Sequence, residues 1–302
     1  MQPQRPLPRV RAADGVDVAV RDLGGSGPPV VLAHATGLHG QVWAPMAAHL
    51  ADAFSCVAFD SRGHGDSGLP PDDDFDWRGL ALDALAVVEA IGTPGVTPAG
   101  AGGLDGRPFG VGHSSGGAAL LLAEEARPGT FAALYCFEPI LVAADPPLGR
   151  DRGNWLAAGA RRRRETFAST DEAMAHYATK APFDRWAPEA LAAYVDDGFA
   201  DLPDGTVRLK CRGEHEALVY EMATAHDGFS RLGEVGCPVL LAWGADSDAV
   251  GPEAIAALAG PLPRARTQMV PGVGHFGPLE DPNAVAASVR AFLLSSEPGQ
   301  GR

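Results

Sequence analysis

The sequence predicts an α/β fold, a largely parallel sheet flanked by helices and broken by one helical insertion. Two observations carry this. Short apolar runs alternate with helical patterns in the first 139 residues and again after residue 237. Between those points the alternation stops, and charged and aromatic residues recur at helical spacing. Of 302 residues, 46% are hydrophobic and 21% charged, so a sizeable core can form.

Taken in order, residues 29–34 read as a buried strand, 41–53 as an amphipathic helix and 54–60 as the next strand. A helix is expected over 77–91, a short strand over 109–112, a helix over 115–126 and a strand over 131–137. After the insertion come a strand (238–243), a helix opened by Pro252 (252–258), a strand (266–270) and a helix opened by Pro282 (282–294). The Gly/Pro-rich stretch 93–107 reads as an exposed loop, and the tail 295–302 as frayed. The boundaries expected from this pattern are a core of 1–139 plus 237–302 and a cap of 140–236.

Composition excludes several classes. With 24 basic and 38 acidic residues the net charge is −14, which argues against nucleic acid or an anionic membrane as partner. Cys56, Cys136, Cys211 and Cys237 form no CxxC pair, so neither a zinc knuckle nor a disulfide framework is expected. No run approaches the roughly 20 apolar residues of a membrane span, and the arginine-bearing opening residues lack the apolar stretch of a secretory leader. The expectation is a cytoplasmic protein. Oligomeric state is not readable.

The chemistry is concentrated at VGHSSGGAAL, residues 111–120. Gly112, Ser114 and Gly116 form a G-x-S-x-G turn from strand to helix, which exposes one hydroxyl at the positive end of a helix. The plain alternative is a tight packing turn. Further segments favour chemistry. His275, in Val273-Gly274-His275-Phe276 after the last strand, can take the serine proton, since imidazole titrates near working pH. A carboxylate is needed to orient that ring. Asp248, in the segment Trp243-Gly244-Ala245-Asp246-Ser247-Asp248, is the expected acid; Asp246 reads as a turn-capping side chain, and Glu138 at the end of its strand is a third candidate. Backbone N–H groups of Thr36 and Ser115 would stabilise an oxyanion, with His34 bracing the first loop.

These residues carry a resemblance. HATG, FDSRGHGDSG, GHSSGG, WGADSD and PGVGHF, in that order, resemble the α/β-hydrolase superfamily across nearly the whole chain outside the insertion. The resemblance implies an eight-stranded, mostly parallel sheet with a cap after the sixth strand and an esterase-like serine mechanism. It departs at Ala35, where the family usually has glycine, and at Ser115, where methionine or glutamine is frequent. The FDSRGHGDSG turn resembles a structural motif, and no catalytic role is carried onto it.

The expected function is hydrolysis of a small to medium carboxylic ester through an acyl-enzyme, without metal or cofactor. The same machinery serves lactonases, thioesterases and carbon–carbon bond hydrolases, and a non-catalytic ligand receptor of this fold is the other class. His39, Trp43 and Phe276 are expected pocket walls, and His113 is expected to be packed. Arg161 to Arg164 read as a solvated helix face, and Trp155, Phe167, Tyr177, Phe183, Trp186, Tyr194 and Phe199 as the cap's own core.

Overall fold

A computed structural model describes residues 8–93, 96, 106–142 and 147–296. Most of the expected 93–107 loop and the tail beyond 296 lie outside the described residues. The first half contains β1 (Arg9–Arg11), β2 (Asp17–Gly25), β3 (Pro29–Ala33), α1 (Ala44–Ala48), β4 (Ser55–Phe59), α2 (Trp77–Ala90), β5 (Phe109–His113), α3 (Ser115–Ala126) and β6 (Leu134–Phe137). The insertion contributes α4 (Trp155–Arg161), β7 (Thr166–Phe167), α5 (Thr170–Tyr177), α6 (Pro188–Gly198), β8 (Phe199–Asp201), β9 (Val207–Leu209) and α7 (Gly213–Met222). The core then resumes with β10 (Val239–Gly244), α8 (Pro252–Ala259), β11 (Ala265–Val270), α9 (Gly277–Glu280) and α10 (Pro282–Ser295).

One eight-stranded sheet runs β1-β2-β4-β3-β5-β6-β10-β11. The pairs β1–β2 and β2–β4 are antiparallel and the rest parallel. Its inner strands β3, β4, β5, β6 and β10 are buried on both faces, as a sheet covered by helices on each side requires. Val30 and Leu32 of β3, Cys56 and Ala58 of β4, and Tyr135 and Phe137 of β6 face the layer of α1 and α10. Their neighbours Val31, Ala33, Val57, Phe59, Leu134 and Cys136 face α2, α3 and α8. This period of two, with both phases buried, explains why the strands read as unbroken apolar runs.

The structure differs from the sequence expectation in three elements. The hairpin β1–β2 was not foreseen, because Arg9, Arg11, Asp17, Arg21 and Asp22 interrupt any apolar run. The expected 41–53 helix is a 3₁₀ turn, Gly40–Trp43, followed by the short α1, which opens at Pro45. The insertion is not wholly helical: β7, β9 and β8 form a small antiparallel sheet above the core.

Charges join insertion to core. Buried Arg21 pairs with Asp60 at 3.0 Å in the core and with Asp197 of α6 at 3.0 Å, and Lys210 reaches Asp66 at 2.9 Å. Burial by itself favours the neutral Asp60 carboxyl, but the Arg21 guanidinium outweighs it and holds the group well below the ordinary carboxylate range. Asp60 also accepts the Gly40 N–H at 2.7 Å, which fixes the chain just beyond residues 34–37.

Candidate active site

Ser114 sits where β5 turns into α3, at φ 54° and ψ −119°. An L-residue accepts this conformation only where its surroundings enforce it. Here they do. A Cβ on Gly112 would lie 2.6 Å from the Gly117 backbone, and one on Gly116 would lie 2.3 Å from the Ala33 carbonyl oxygen. Strand and helix therefore close on each other only through glycine. The hydroxyl is left at the helix N-terminus with no hydrogen bond of its own among the described residues.

His275 lies in the loop between β11 and α9. Its backbone carbonyl accepts the His113 Nε2–H at 2.8 Å, which clamps the histidine loop to the residue beside Ser114. Its Nδ1 lies 2.6 Å from Glu138 Oε2. A carboxylate can only accept, so Nδ1 carries the proton and Nε2 keeps its lone pair, the tautomer a general base needs.

Glu138 follows β6 directly, fully buried and at φ 45°. Three donors converge on it: His275, the Gly244 N–H at 2.9 Å and the Ser247 hydroxyl at 2.8 Å. A buried carboxylate satisfied in this way is held in one orientation.

The loop after β3 approaches from the other side. The Thr36 hydroxyl donates to Ser115 Oγ at 2.9 Å. Among the described residues, the backbone N–H groups of Thr36 and Ser115 are spent on no protein acceptor. His34 Nδ1–H bonds the Ala35 carbonyl at 2.8 Å, and its Nε2 accepts the Ser61 N–H at 2.9 Å, so this ring is fully used in bracing the loop.

Residues 30–288 match the alpha/beta hydrolase family. The chain belongs to that family. A pimeloyl-[acyl-carrier protein] methyl ester esterase from Methylococcus capsulatus is 34% identical over 124 residues, 40% of this chain and 42% of that protein. A bifunctional esterase/perhydrolase from Acinetobacter calcoaceticus is 33% identical over 145 residues, 46% of this chain and 45% of that one. Each match thus spans less than half the length of the relative. The solved structure of an E-2-(acetamidomethylene)succinate hydrolase superposes with a TM-score of 0.78 at 21% identity, over 95% of this chain and 98% of that one. That likeness concerns the fold.

Within this α/β hydrolase the expected acid is corrected. Asp248 is exposed and has no contact with His275, and Asp246 is exposed with Arg185 at 3.8 Å. Both carboxylates belong to the loop after β10 and face outward, whereas Ser247 of that loop reaches inward, to Glu138. The partner of His275 comes from the neighbouring strand.

Two expected pocket walls, His39 and Trp43, are buried. His39 is buried, its ring stacked on Tyr194 and its Nε2–H bonded to the Tyr194 carbonyl at 3.1 Å. Trp43 is buried in the core, beside a space between His34, His113 and Leu279 that is too tight for water. Their segment closes the cap–core seam. Phe276 is only half-buried and packs between His275 and Trp186 of the cap.

From Phe276 a continuous set of rings leads into the cap through Trp186, Phe183, Tyr194 and Tyr177. Trp155, expected in that core, is 77% exposed, because α4 turns its first residue outward. The arginine run also divides. Arg161 pairs with Glu214 and Glu221, and Arg164 pairs with Glu172, as a surface would have it. Arg163 instead turns inward to Glu216 and the hydroxyls of Tyr177 and Tyr194. Helical phase in a short segment beside a sheet gave no warning of it.

His34 supplies a pH prediction. Burial, helped by nearby His64, pushes its imidazole from 6.5 down to about 3. Between those values the unfolded chain binds a proton that the folded chain refuses, so stability falls as pH drops from 6.5 toward 3. This one group contributes about 1.4 kcal/mol per pH unit. Urea unfolding at pH 7 and pH 5 should show His34→Gln losing less stability over that interval than the wild type; an equal loss refutes the assignment.

Proposed function

We propose that this α/β hydrolase is a serine esterase that cleaves a small to medium carboxylic ester through an acyl-enzyme on Ser114. The observation that carries the reading is the Glu138–His275 pair clamped beside the strained Ser114 turn. His275 Nε2 takes the Ser114 proton as Oγ attacks the carbonyl carbon, and Glu138 stabilises the imidazolium that forms. The Thr36 and Ser115 N–H groups receive the developing oxyanion. His275 then returns the proton to the leaving alcohol and activates the water that releases the acid. Both curated relatives are named as esterases, which supports an ester as the substrate class.

The same reading takes residues 140–236 as the cap domain and 1–139 with 237–302 as the catalytic core. It takes Phe276 as a wall of the substrate cleft. A reducing, cytoplasmic setting suits four buried cysteines that are all free.

Labelling with a fluorophosphonate followed by peptide mapping tests the nucleophile. The expected adduct is a single one on Ser114; a different modified residue, or none, overturns the mechanism.

A further inference from the structure

The loop that bears Thr36 is gripped at its next residue. Gly37 donates its N–H to His64 Nε2 at 3.0 Å. His64 Nδ1–H in turn bonds the Arg62 carbonyl at 2.9 Å, so the ring has one tautomer and both nitrogens are used. Burial, opposed in part by that carbonyl, pushes His64 below the ordinary imidazole range and keeps it neutral, as an acceptor must be. Arg62 is itself rigid, forked onto buried Asp83 at 2.8 Å and onto Asp14 at 2.6 Å.

The cap presses on the opposite side of Gly37. A Cβ there would lie 2.7 Å from Glu216 Oε1, and φ is +81°. Glu216 of α7 is half of the inward pair with Arg163, so its carboxylate is held in place and its charge balanced beside the oxyanion site. Gly37 is thus fixed between the 60–64 turn and the cap.

We propose that His64 is a positioning residue for hydrolysis, acting through its bond to the Gly37 N–H to aim the Thr36 N–H at the oxyanion, with Glu216 of the cap as the opposing stop. This deepens the function proposed above and rests on it. The physical content is alignment. An acceptor at the Nε2 position holds the peptide between Thr36 and Gly37, and an oxyanion donor displaced by about 1 Å loses on the order of a hundredfold in rate.

The test compares His64→Gln, whose Oε1 falls near the position of Nε2, with His64→Asn, which keeps the shorter polar contact but cannot reach Gly37. Rates are normalised to the sites titrated by fluorophosphonate, so misfolded chains do not count. The Gln chain should turn over within about tenfold of wild type. The Asn chain should lose about a hundredfold in kcat with KM nearly unchanged, and a trifluoromethyl ketone should bind it weaker by a similar factor. Equal rates for the two variants, or a loss confined to KM, overturn the proposal. If the Asn chain is insoluble, His64→Ala decides: recovery of kcat on adding imidazole supports it, and no recovery overturns it. Absence of label on the wild type sinks the Ser114 reading instead, whereas a labelled wild type with equal rates in the Gln and Asn chains sinks this proposal alone.

Discussion

Glu138→Gln should lower kcat on an activated ester by about 10⁴-fold, while Asp248→Asn should change it by no more than about threefold. The first figure follows from what the carboxylate does. Glutamine can present an N–H to His275 Nδ1, which then becomes the acceptor and moves the ring proton to Nε2, where it blocks the base; an exchange of this kind in a related triad costs about 10⁴. The Gly244 and Ser247 donors also lose the charge they converge on. Asp248, exposed and remote from the imidazole, has nothing comparable to lose. Steady-state rates of the two purified variants decide, and equal losses would return the acid to the loop after β10.

Ser114→Ala should abolish nearly all turnover, by about 10⁶-fold in kcat, since loss of the nucleophile disables the other two members as well. The proposed oxyanion donors remain, so a small residual rate above water is expected. Stability should hold or rise. Alanine tolerates φ 54° no better than serine, but it removes a hydroxyl with no hydrogen bond among the described residues, and its smaller side chain relieves the crowded turn. A melting temperature unchanged or a few degrees higher, together with lost turnover, is the expected signature. Retained turnover would mean that the observed activity belongs to another nucleophile.

Much of this was legible in the residues. The elbow could be read because its glycines answer a local steric demand, and local demands leave local signatures: Gly112, Ser114 and Gly116 lie within five positions. His275 could be read because the loop after the last strand opens on the same sheet edge. The apolar runs of the inner strands were legible for the same reason, since both phases of β3, β4, β5, β6 and β10 are buried.

The carboxylate partner of His275 was not legible in this way. Asp246, Asp248 and Glu138 all stand at strand ends on one edge of the sheet, and pattern alone cannot say which side chain turns inward. Backbone direction settles it: Glu138 is twisted to positive φ at the end of β6, while the loop after β10 sends both aspartates outward. Arg163 and His64 are of the same kind. One of four consecutive arginines is drawn inside by Glu216, and a histidine in a glycine turn finds an amide 27 positions away. Sequence by itself determined the strained serine turn, the histidine loop beside it and the layered core, because each follows from near neighbours or from the period of a strand. Only tertiary structure decided the carboxylate partner of His275, the grip on the loop after β3 and the inward arginine, because each depends on which distant groups share one buried space and must satisfy one another there.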